Sequence, residues 1–293
     1  MTLALAVDIG GTKLAAGVVD EHGVLLRRAQ VPTPKSEGKS EGLEGEVAIW
    51  QALVELIEQV RSGDEVVCGV GCGGPMTRGG ELVSPLNIPA WRDFPLMARV
   101  ADMTGLPTFV DNDAKALALG EGWLGAARGV DNFIAMVVST GVGGGIVLDG
   151  KLLDGNAGNA GHIGHVTVCP NGRLCACGSK GCLEAEASGL AIETATGQSP
   201  KLADLETISR TGRLVGQAVA SVANLLDLRL AVVTGSVALG FGQPFFDGAQ
   251  REIDERSRLA FSSGTRIVPA GLGDSASLVG AAALGWRGIR MVP

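Results

Sequence analysis

Two stretches of the chain share one order of apolar and polar positions. In residues 3–34, two apolar runs flank the turn Asp8-Ile9-Gly10-Gly11-Thr12, and a second turn leads into a third run. Residues 131–153 repeat this order around Ser139-Thr140-Gly141-Val142-Gly143. Apolar runs joined by short glycine-rich turns predict a β-hairpin followed by a third strand. Because self-similarity within a chain indicates a repeated architecture, the sequence predicts two similar domains that face each other across a cleft.

Helices and further strands are predicted between and after the two repeats. Apolar positions at helical spacing predict helices, and short apolar runs predict buried strands. Residues 35–45 are polar and glycine-rich, which predicts a mobile loop. The predicted elements are helices over 47–60, 94–103 and 214–226, strands over 66–70 and 107–110, and two C-terminal strands that each run into a helix. The alternation of the two types indicates an α/β fold.

Composition and charge exclude several classes of protein. The 293 residues are 46% hydrophobic and 19% charged, which argues against disorder. The net charge of −7 and the absence of a basic stripe argue against a nucleic-acid partner. The apolar N-terminus is short and lacks basic residues, so it predicts a first strand rather than a signal peptide. We therefore expect a cytoplasmic protein without membrane contact, whose six cysteines are thiols or metal ligands.

The two glycine-rich turns are candidates for phosphate binding. In a tight turn with little side-chain bulk, successive N–H groups converge and can bind phosphate oxygens. Thr12 and Thr140 add hydroxyl groups, and Asp8 is placed to hold Mg²⁺ directly or through water. The Walker A pattern is absent. The alternative is that both are ordinary glycine-rich hairpin turns.

The dipeptide Asn112-Asp113 follows a predicted strand and precedes a predicted helix. The carboxyl end of a strand is where open α/β sheets bind ligands. Asp113 would suit a general base that accepts a hydroxyl proton during attack on phosphorus. The alternative is a helix N-cap, which is a common use of Asn and Asp, and the two roles can coexist.

A cluster of cysteines follows two histidines. Cys175, Cys177 and Cys182, with a histidine upstream, could supply a tetrahedral Cys₃His site for zinc. Disulfide bonds are the alternative, and the expected compartment argues against them. Cys169 is interpreted as incidental to this site. Glu184, Glu186 and Asn87, each taken alone, would be interpreted as surface polar residues.

Several linked motifs resemble the ROK family of repressors and sugar kinases. The motifs are VDIGGTK, a GGP loop, PLNIPAW, DNDA, VSTGVGGG, and GHIGH followed by CACGSKGCLE, and the resemblance runs from Val7 to the final helix. It implies two actin-like, ribonuclease H-like α/β lobes with the active site in the cleft between them, a zinc knuckle, and a homodimer or homotetramer. The N-terminal lobe would be residues 1–115 joined by the helix 275–293, and the C-terminal lobe residues 116–274.

The resemblance also implies roles for individual residues. Asp113 would be the catalytic base, and the cofactors would be ATP, catalytic Mg²⁺ and structural Zn²⁺. The implied sugar-binding residues are Gly74, Asn87, Asn112, Asp113, His162, His165 and Glu184. The implied ATP and phosphate residues are Asp8, Gly10, Gly11, Thr12, Lys13, Thr140, Gly141, Gly143, Gly144 and Gly235. The implied zinc ligands are His165, Cys175, Cys177 and Cys182.

The segment from His162 to His165 departs from the pattern of the family's glucokinases, which carry Glu-x-Gly-His there. Here it reads His-Ile-Gly-His, which resembles the family's N-acetylmannosamine kinases, whereas GEGWLGAARG and PLNIPAWRDFPL resemble its glucokinases. A carboxylate and an imidazole offer different hydrogen bonds, so recognition at C1 and C2 of the sugar stays open. The resemblance therefore implies an ATP-dependent kinase for the 6-hydroxyl of glucose or N-acetylmannosamine, with another hexose or N-acyl hexosamine as a further alternative.

The family also implies two alternatives to a kinase. Its repressors carry a winged-helix domain ahead of the first hairpin, whereas here that hairpin starts almost at Met1. A catalytically inactive sugar-binding or regulatory member is the second alternative. Asp113 and both phosphate turns are present, which favours the enzyme. Polyphosphate as the phosphoryl donor is not favoured, since no track rich in Lys and Arg is visible.

Overall fold

The computed structural model describes residues 1–34 and 43–291 and divides into two compact units. The first unit comprises Met1–Leu124, Asp154–Ala160 and Asp274–Pro293, and the second comprises Gly125–Leu153 and Gly161–Gly273. The boundary predicted between residues 115 and 116 falls inside a helix, whereas the units divide after Leu124.

The helices and strands alternate along the chain. The first are β1 Leu3–Ile9, β2 Lys13–Asp20, β3 Leu25–Pro32, α1 Leu43–Val60, β4 Glu65–Cys72, α2 Leu96–Thr104, β5 Thr108–Asn112 and α3 Asp113–Trp123. They are followed by β6 Phe133–Val138, β7 Val142–Leu148, β8 Lys151–Leu152, α4 Leu183–Ala187, α5 Gly189–Thr196 and α6 Leu205–Leu226. The last are β9 Leu230–Thr234, α7 Ser236–Phe241, α8 Gln243–Arg256, β10 Arg266–Pro269 and α9 Ala276–Gly288.

The two units have sheets of identical topology. The strand order is β3-β2-β1-β4-β5 in the first and β8-β7-β6-β9-β10 in the second. In each, the first three strands form an antiparallel meander, and the last two run parallel to the first. Three residues join the first two strands in both sheets. This correspondence confirms the prediction of two similar α/β units.

The central strand β1 distributes its side chains to two cores. Leu5, Val7 and Ile9 lie in the core that α1 and α2 cover, while Ala4 and Ala6 pack against α9. This follows from the two-residue period of a strand, which sends alternate side chains to opposite faces. Small residues on the second face allow α9 to lie close to the sheet.

One helix of the second unit starts earlier than the sequence pattern predicts. The helix predicted over 214–226 begins earlier, at Leu205, because the Asp204 side chain accepts the Thr207 N–H at 2.8 Å and caps it. Gly212 and Gly216 let α8 approach α6, since a Cβ at either would lie within 2.4 Å of α8 backbone oxygens. The first half of α6 contains few apolar residues, so its apolar pattern is too sparse to predict where the helix starts.

One predicted loop differs in the first unit. The last three residues of the stretch 35–45 belong to α1, which begins at Leu43, and residues 35–42 lie outside the described part of the chain. Two acidic residues in the first turn of α1, Glu44 and Glu46, favour the helix there through its dipole. None of the helices within residues 1–34 and 43–291 is long and apolar enough to cross a membrane.

Candidate active site

Three segments of the first unit leave the same edge of its sheet. Ile9 of β1, Cys72 of β4 and Asn112 of β5 are in register, and each is the last residue of its strand. The three strands are parallel, so the segments that follow them start side by side. This edge is where open α/β sheets bind ligands. At this edge lie the first glycine-rich turn, the Gly-Gly-Pro loop and Asp113.

The first hairpin turn is fixed at both ends. The Gly10 N–H donates to the Lys13 carbonyl at 3.0 Å, and the Thr33 hydroxyl donates to the Gly10 carbonyl at 2.6 Å. A Cβ at Gly11 would lie 2.7 Å from the Cβ of Asn87, so only glycine fits beside that residue. Thr12 and Lys13 are exposed at the tip and the start of β2.

Asn87 lies between the turn and the Gly-Gly-Pro loop. A Cβ at Gly73 would lie 3.1 Å from Asn87 Oδ1, and the Leu86 N–H donates to the Gly74 carbonyl at 3.1 Å. The Asn87 side chain is exposed and, together with Gly11, lines a cavity of about 240 Å³. The structure therefore brings Gly11, Gly74 and Asn87 together, although 60 and more residues separate the turn from the other two.

Asn112 and Asp113 stand at the start of α3. The Asn112 side chain accepts the Ala114 N–H at 3.0 Å, which makes it the N-cap of the helix. Asp113 Oδ1 accepts the same N–H at 2.8 Å. Asn112 thus has the predicted capping role, and Asp113 is the first residue of the helix. A carboxylate in the first helical turn is also favoured by the helix dipole.

Asp8 and Asp113 interact through their charges. Burial, and secondly the charge of Asp113, raise the pKa of the Asp8 carboxyl to about 6, although a hydrogen bond with Ser277 and the charge of Lys13 act to lower it. Gly71 is in register with Asp8, and a Cβ there would lie 3.4 Å from Asp113 Cα. Two interacting carboxylates are the oxygen ligands that Mg²⁺ prefers, so this pair fits the predicted cation. No sequence signal pointed to Ser277, which comes from α9.

Glu184 supports the second hairpin turn, in the other unit. Its Oε2 accepts the Val142 N–H at 2.9 Å, and a Cβ at Gly141 would lie 2.7 Å from the same oxygen. The Ser139 N–H donates to the Gly141 carbonyl at 2.9 Å and closes the turn, in which Thr140 is exposed. The predicted sugar ligand and the predicted phosphate turn are therefore in direct contact.

Two histidines belong to a segment that packs against β7. His162 directly precedes a 3₁₀ turn, Ile163–His165, and His165 is its last residue. The turn approaches the strand closely, since a Cβ at Gly164 would lie 2.1 Å from the Val142 carbonyl oxygen. Gly143 and Gly144 belong to β7, and Gly144 packs against Ile163. The rings of His162 and His165 have centroids 6.1 Å apart and are nearly parallel.

The turn after β9 reaches the same hairpin. Gly235 has a φ of 107°, and a Cβ there would lie 2.3 Å from the Val138 carbonyl oxygen. The hydroxyl groups of Ser139 and Ser236 are 2.9 Å apart. The second unit therefore gathers its predicted phosphate residues, Glu184 and both histidines around one hairpin.

The four predicted metal ligands form one group. The ligand atoms of His165, Cys175, Cys177 and Cys182 all lie within 4.8 Å of one another. Cys175 Sγ is 3.7 Å from His165 Nδ1, and Cys177 Sγ is 3.7 Å from Cys182 Sγ. Tetrahedral zinc with Zn–S bonds of about 2.3 Å places sulfur atoms about 3.8 Å apart, so the group fits zinc. All six cysteines are free thiols, and Cys169 lies outside the group.

Glu186 links the cysteine-bearing loop to helix α6 of the same unit. It is 2% exposed, accepts the Arg173 N–H at 2.7 Å and forms an ion pair with Arg210 of α6. The interpretation of Glu186 as a surface residue was therefore wrong. A buried carboxylate needs such partners, because desolvation penalises its charge. Arg210 stabilises it from a helix that is distant in sequence.

Known proteins resemble the whole chain. The sequence profile of the ROK family matches residues 4–287. The chain is 31% identical to a glucokinase of Thermotoga maritima over 96% of both chains. It is 37% identical to an N-acetylmannosamine kinase of Citrobacter koseri over 81% of this chain and 84% of the relative. A crystal structure of a ROK family glucokinase from Streptomyces griseus, in complex with glucose and AMPPNP, matches with a TM-score of 0.83 and 33% identity, covering 97% of this chain and 99% of that one.

Proposed function

The chain belongs to the ROK family, and from this premise we propose that it is an ATP-dependent kinase for the 6-hydroxyl of glucose or N-acetylmannosamine. The observation that supports the proposal is the register of Ile9, Cys72 and Asn112, because the first glycine-rich turn and Asp113 follow these strand ends at the same edge of the sheet. A base next to a phosphate-binding turn is the arrangement that phosphoryl transfer to a hydroxyl requires. The relatives named glucokinase and N-acetylmannosamine kinase support the same reaction class.

The first unit would hold the acceptor hydroxyl. Asn87 and Asn112 would bind sugar hydroxyls, with the backbone of Gly74 beside them. Asp113 would orient the 6-hydroxyl and accept its proton as the oxygen attacks phosphorus. The Ala114 N–H, which donates to Asp113 Oδ1 at 2.8 Å, keeps this carboxylate in place. Because little covalent chemistry is left to the protein, catalysis would come mainly from positioning and charge stabilisation.

The two hairpin turns would hold the phosphates of ATP. The first supplies the turn 10–12 with Lys13, and the second supplies Thr140, Gly141 and the glycines of β7. Asp8 would be the principal protein ligand of Mg²⁺, and the bound cation would neutralise charge on the phosphates. Gly235 and its neighbour Ser236 would contact the nucleotide beside the second turn.

The cysteine cluster would organise the sugar-binding groups of the second unit. His165 and Cys182 would ligate Zn²⁺, which would fix the local fold as a structural metal. Glu184 follows Cys182 by two residues, so the same metal would position its carboxylate for a sugar hydroxyl. His162 stands where the family's glucokinases carry a glutamate, and it would set recognition near C1 and C2.

The experiment is a coupled assay of ADP formation with zinc-loaded protein, Mg²⁺ and a panel of sugars. The panel contains glucose, N-acetylmannosamine, mannose and N-acetylglucosamine, and 6-deoxyglucose is the matched control because it lacks the acceptor hydroxyl. Turnover with glucose or N-acetylmannosamine and none with 6-deoxyglucose supports the proposal. No turnover with any sugar favours an inactive sugar-binding or regulatory protein instead, and ATP hydrolysis that does not depend on sugar contradicts a sugar hydroxyl as the acceptor.

A further inference from the structure

A second cavity lies in the first unit, apart from every residue assigned above to sugar, ATP or zinc. Its volume is about 190 Å³. Its charged lining residues are Arg78, Asp111, Lys115, Asp154 and Arg287. These come from the segment after β4, from β5 and α3, from the connection after β8, and from α9. Charged groups from four parts of the sequence thus converge on one small space.

Lys115 is a buried lining residue of this cavity, and its side chain is held by three acceptors. The side chain is 1% exposed, and its ammonium group lies 2.8 Å from Asp111 Oδ2, 2.9 Å from Asp154 Oδ1 and 3.1 Å from the Gly158 carbonyl oxygen. Three acceptors match the three protons of an ammonium group. Each of the three donors of Lys115 therefore has an acceptor within the protein. The arrangement of Lys115 with the two carboxylates does not depend on a bound ligand.

The two arginines have unused hydrogen-bonding capacity. Neither the Arg78 nor the Arg287 side chain makes a hydrogen bond or ion pair with another residue of 1–34 or 43–291. The cavity has three cationic side chains against two carboxylates, on a protein whose net charge is −7. The planar guanidinium group fits a phosphate in a bidentate manner. The excess of positive charge therefore favours an anion.

The two carboxylates favour an anion that also carries hydroxyl groups. Asp154 retains an oxygen that Lys115 does not contact, and its side chain is 43% exposed. The second Asp111 oxygen, Oδ1, accepts the Asn112 N–H at 2.8 Å and has one lone pair left for a further donor. Ionised carboxylates only accept hydrogen bonds, so they suit a ligand that carries hydroxyl groups beside its phosphate. Pockets for drug-sized ligands enclose roughly 300–1,000 Å³. The smaller cavity here suits a monosaccharide better than a nucleotide.

We propose that this cavity binds a sugar phosphate, with the phosphoryl group on Arg78 and Arg287 and the sugar hydroxyls on Asp111 and Asp154. The product of the proposed reaction belongs to this chemical class, and that link alone rests on the proposed function. Asp111 stands two residues before Asp113, and Asp154 lies on the connection between the two units. Occupancy of the cavity would therefore act on the segments nearest the base.

The test uses the full chain, with glucose 6-phosphate and inorganic phosphate as probes in isothermal titration calorimetry. The proposed active site is first filled with saturating sugar and a non-hydrolysable ATP analogue. The proteins are the wild type, the double variant Arg78→Gln/Arg287→Gln, and the control Arg28→Gln, which removes an exposed arginine of β3 in the same unit. The kinase assay and the unfolding temperature of each protein are measured in parallel.

We expect glucose 6-phosphate to bind the wild type and the control alike, and the double variant at least about tenfold more weakly, since charge-assisted hydrogen bonds are lost. Inorganic phosphate should bind the wild type more weakly than glucose 6-phosphate. No binding, or equal affinity in the double variant, overturns the site. Equal affinity for the two probes overturns its assignment to a sugar phosphate. Basal kinase turnover should be equal in all three proteins, and its absence from all three would refute the proposed function without bearing on the binding result.

Discussion

Glu184 Oε2 accepts the backbone N–H of Val142 at 2.9 Å, and this bond joins the cysteine cluster to the second hairpin. Glu184 lies in the first turn of α4, two residues after the cluster's last cysteine, Cys182. Val142 is the first residue of β7, directly after the turn proposed to bind phosphate. One carboxylate thus serves two proposed functions, sugar binding with one oxygen and support of the ATP-side turn with the other.

Removing this carboxylate should weaken both substrates. In Glu184→Ala we expect KM to rise for sugar and for ATP, with kcat/KM for each lower by about tenfold or more, because a hydrogen bond to a charged group is worth roughly 1.5–3 kcal/mol. Steady-state kinetics with each substrate varied in turn gives the result. Glu193→Ala, which alters an exposed glutamate of α5, is the control. An effect on the sugar KM alone would contradict the support of the turn.

The cysteine cluster should lose its metal when one ligand is changed. Cys177→Ser should lower the zinc content per chain and the unfolding temperature, because a structural zinc site contributes its binding energy to folding. Elemental analysis and thermal unfolding measure the two effects. Cys169→Ser is a matched control, since this cysteine is nearby in sequence but outside the group of four. Equal zinc content in both variants would refute the assignment of the ligands.

Gly11 should be intolerant of any side chain. A Cβ there would lie 2.7 Å from both the Cβ and the carbonyl oxygen of Asn87, so Gly11→Ala must displace Asn87 or the turn. We expect a higher KM for the sugar and a loss of stability of about 1–3 kcal/mol. The control is Gly240→Ala in α7, where the new methyl group meets no atom within 4 Å. Urea unfolding and sugar titration measure the two effects. Equal stability and equal sugar affinity in the two variants would contradict this account.

The buried carboxyl of Asp8 should make stability depend on pH. Folding raises its pKa from 3.8 to about 6, so in this window the folded state holds a proton that the unfolded chain has lost. The free energy of unfolding therefore falls as pH rises from about 4 to 6. Asp8→Asn removes this penalty, and above pH 6 the variant should be more stable than the wild type by up to about 3 kcal/mol.

Urea unfolding at pH 4, 5, 6 and 7.5, without Mg²⁺, measures this difference. Asp64→Asn, which changes an exposed aspartate before β4, is the control and should shift stability equally at all four values. The stabilised Asp8→Asn variant should lack kinase activity, as expected where a functional group is held at the expense of stability. A stability difference that stays constant with pH would contradict the raised pKa.

The sequence predicted those features that depend on neighbouring residues. Alternation of apolar side chains and the glycine-rich turns predicted both hairpins, and Asn112 before an apolar helix predicted its cap. The spacing of Cys175, Cys177 and Cys182 predicted a metal group, because a knuckle is a local structure. In each case the pattern and the structure that it forms lie within a few tens of residues.

Contacts between distant segments were not predictable in this way. Ser277 reaches Asp8 only because α9 returns to the first sheet, and nothing near either residue indicates the contact. Glu186 has the composition of a surface residue, and its burial depends on Arg210, 24 residues away. Lys115 is buried by its pairing with Asp154, 39 positions along the chain. A charged side chain is predicted to be exposed unless its partner is known, and the fold supplies the partner.

The central claim is that Asp113 is the base of a sugar kinase, and the kinetics of Asp113→Asn test it most directly. The amide oxygen can still accept the Ala114 N–H, so α3 should stay folded. The unfolding temperature should not fall, because the variant also removes a charge that raises the Asp8 pKa. We predict that kcat falls by about 10²–10⁴-fold, since that is what a positioned base contributes, while the KM for sugar changes little. Asp102→Asn, an exposed position on α2, should retain full activity. A kcat for Asp113→Asn close to that of the wild type would contradict the account.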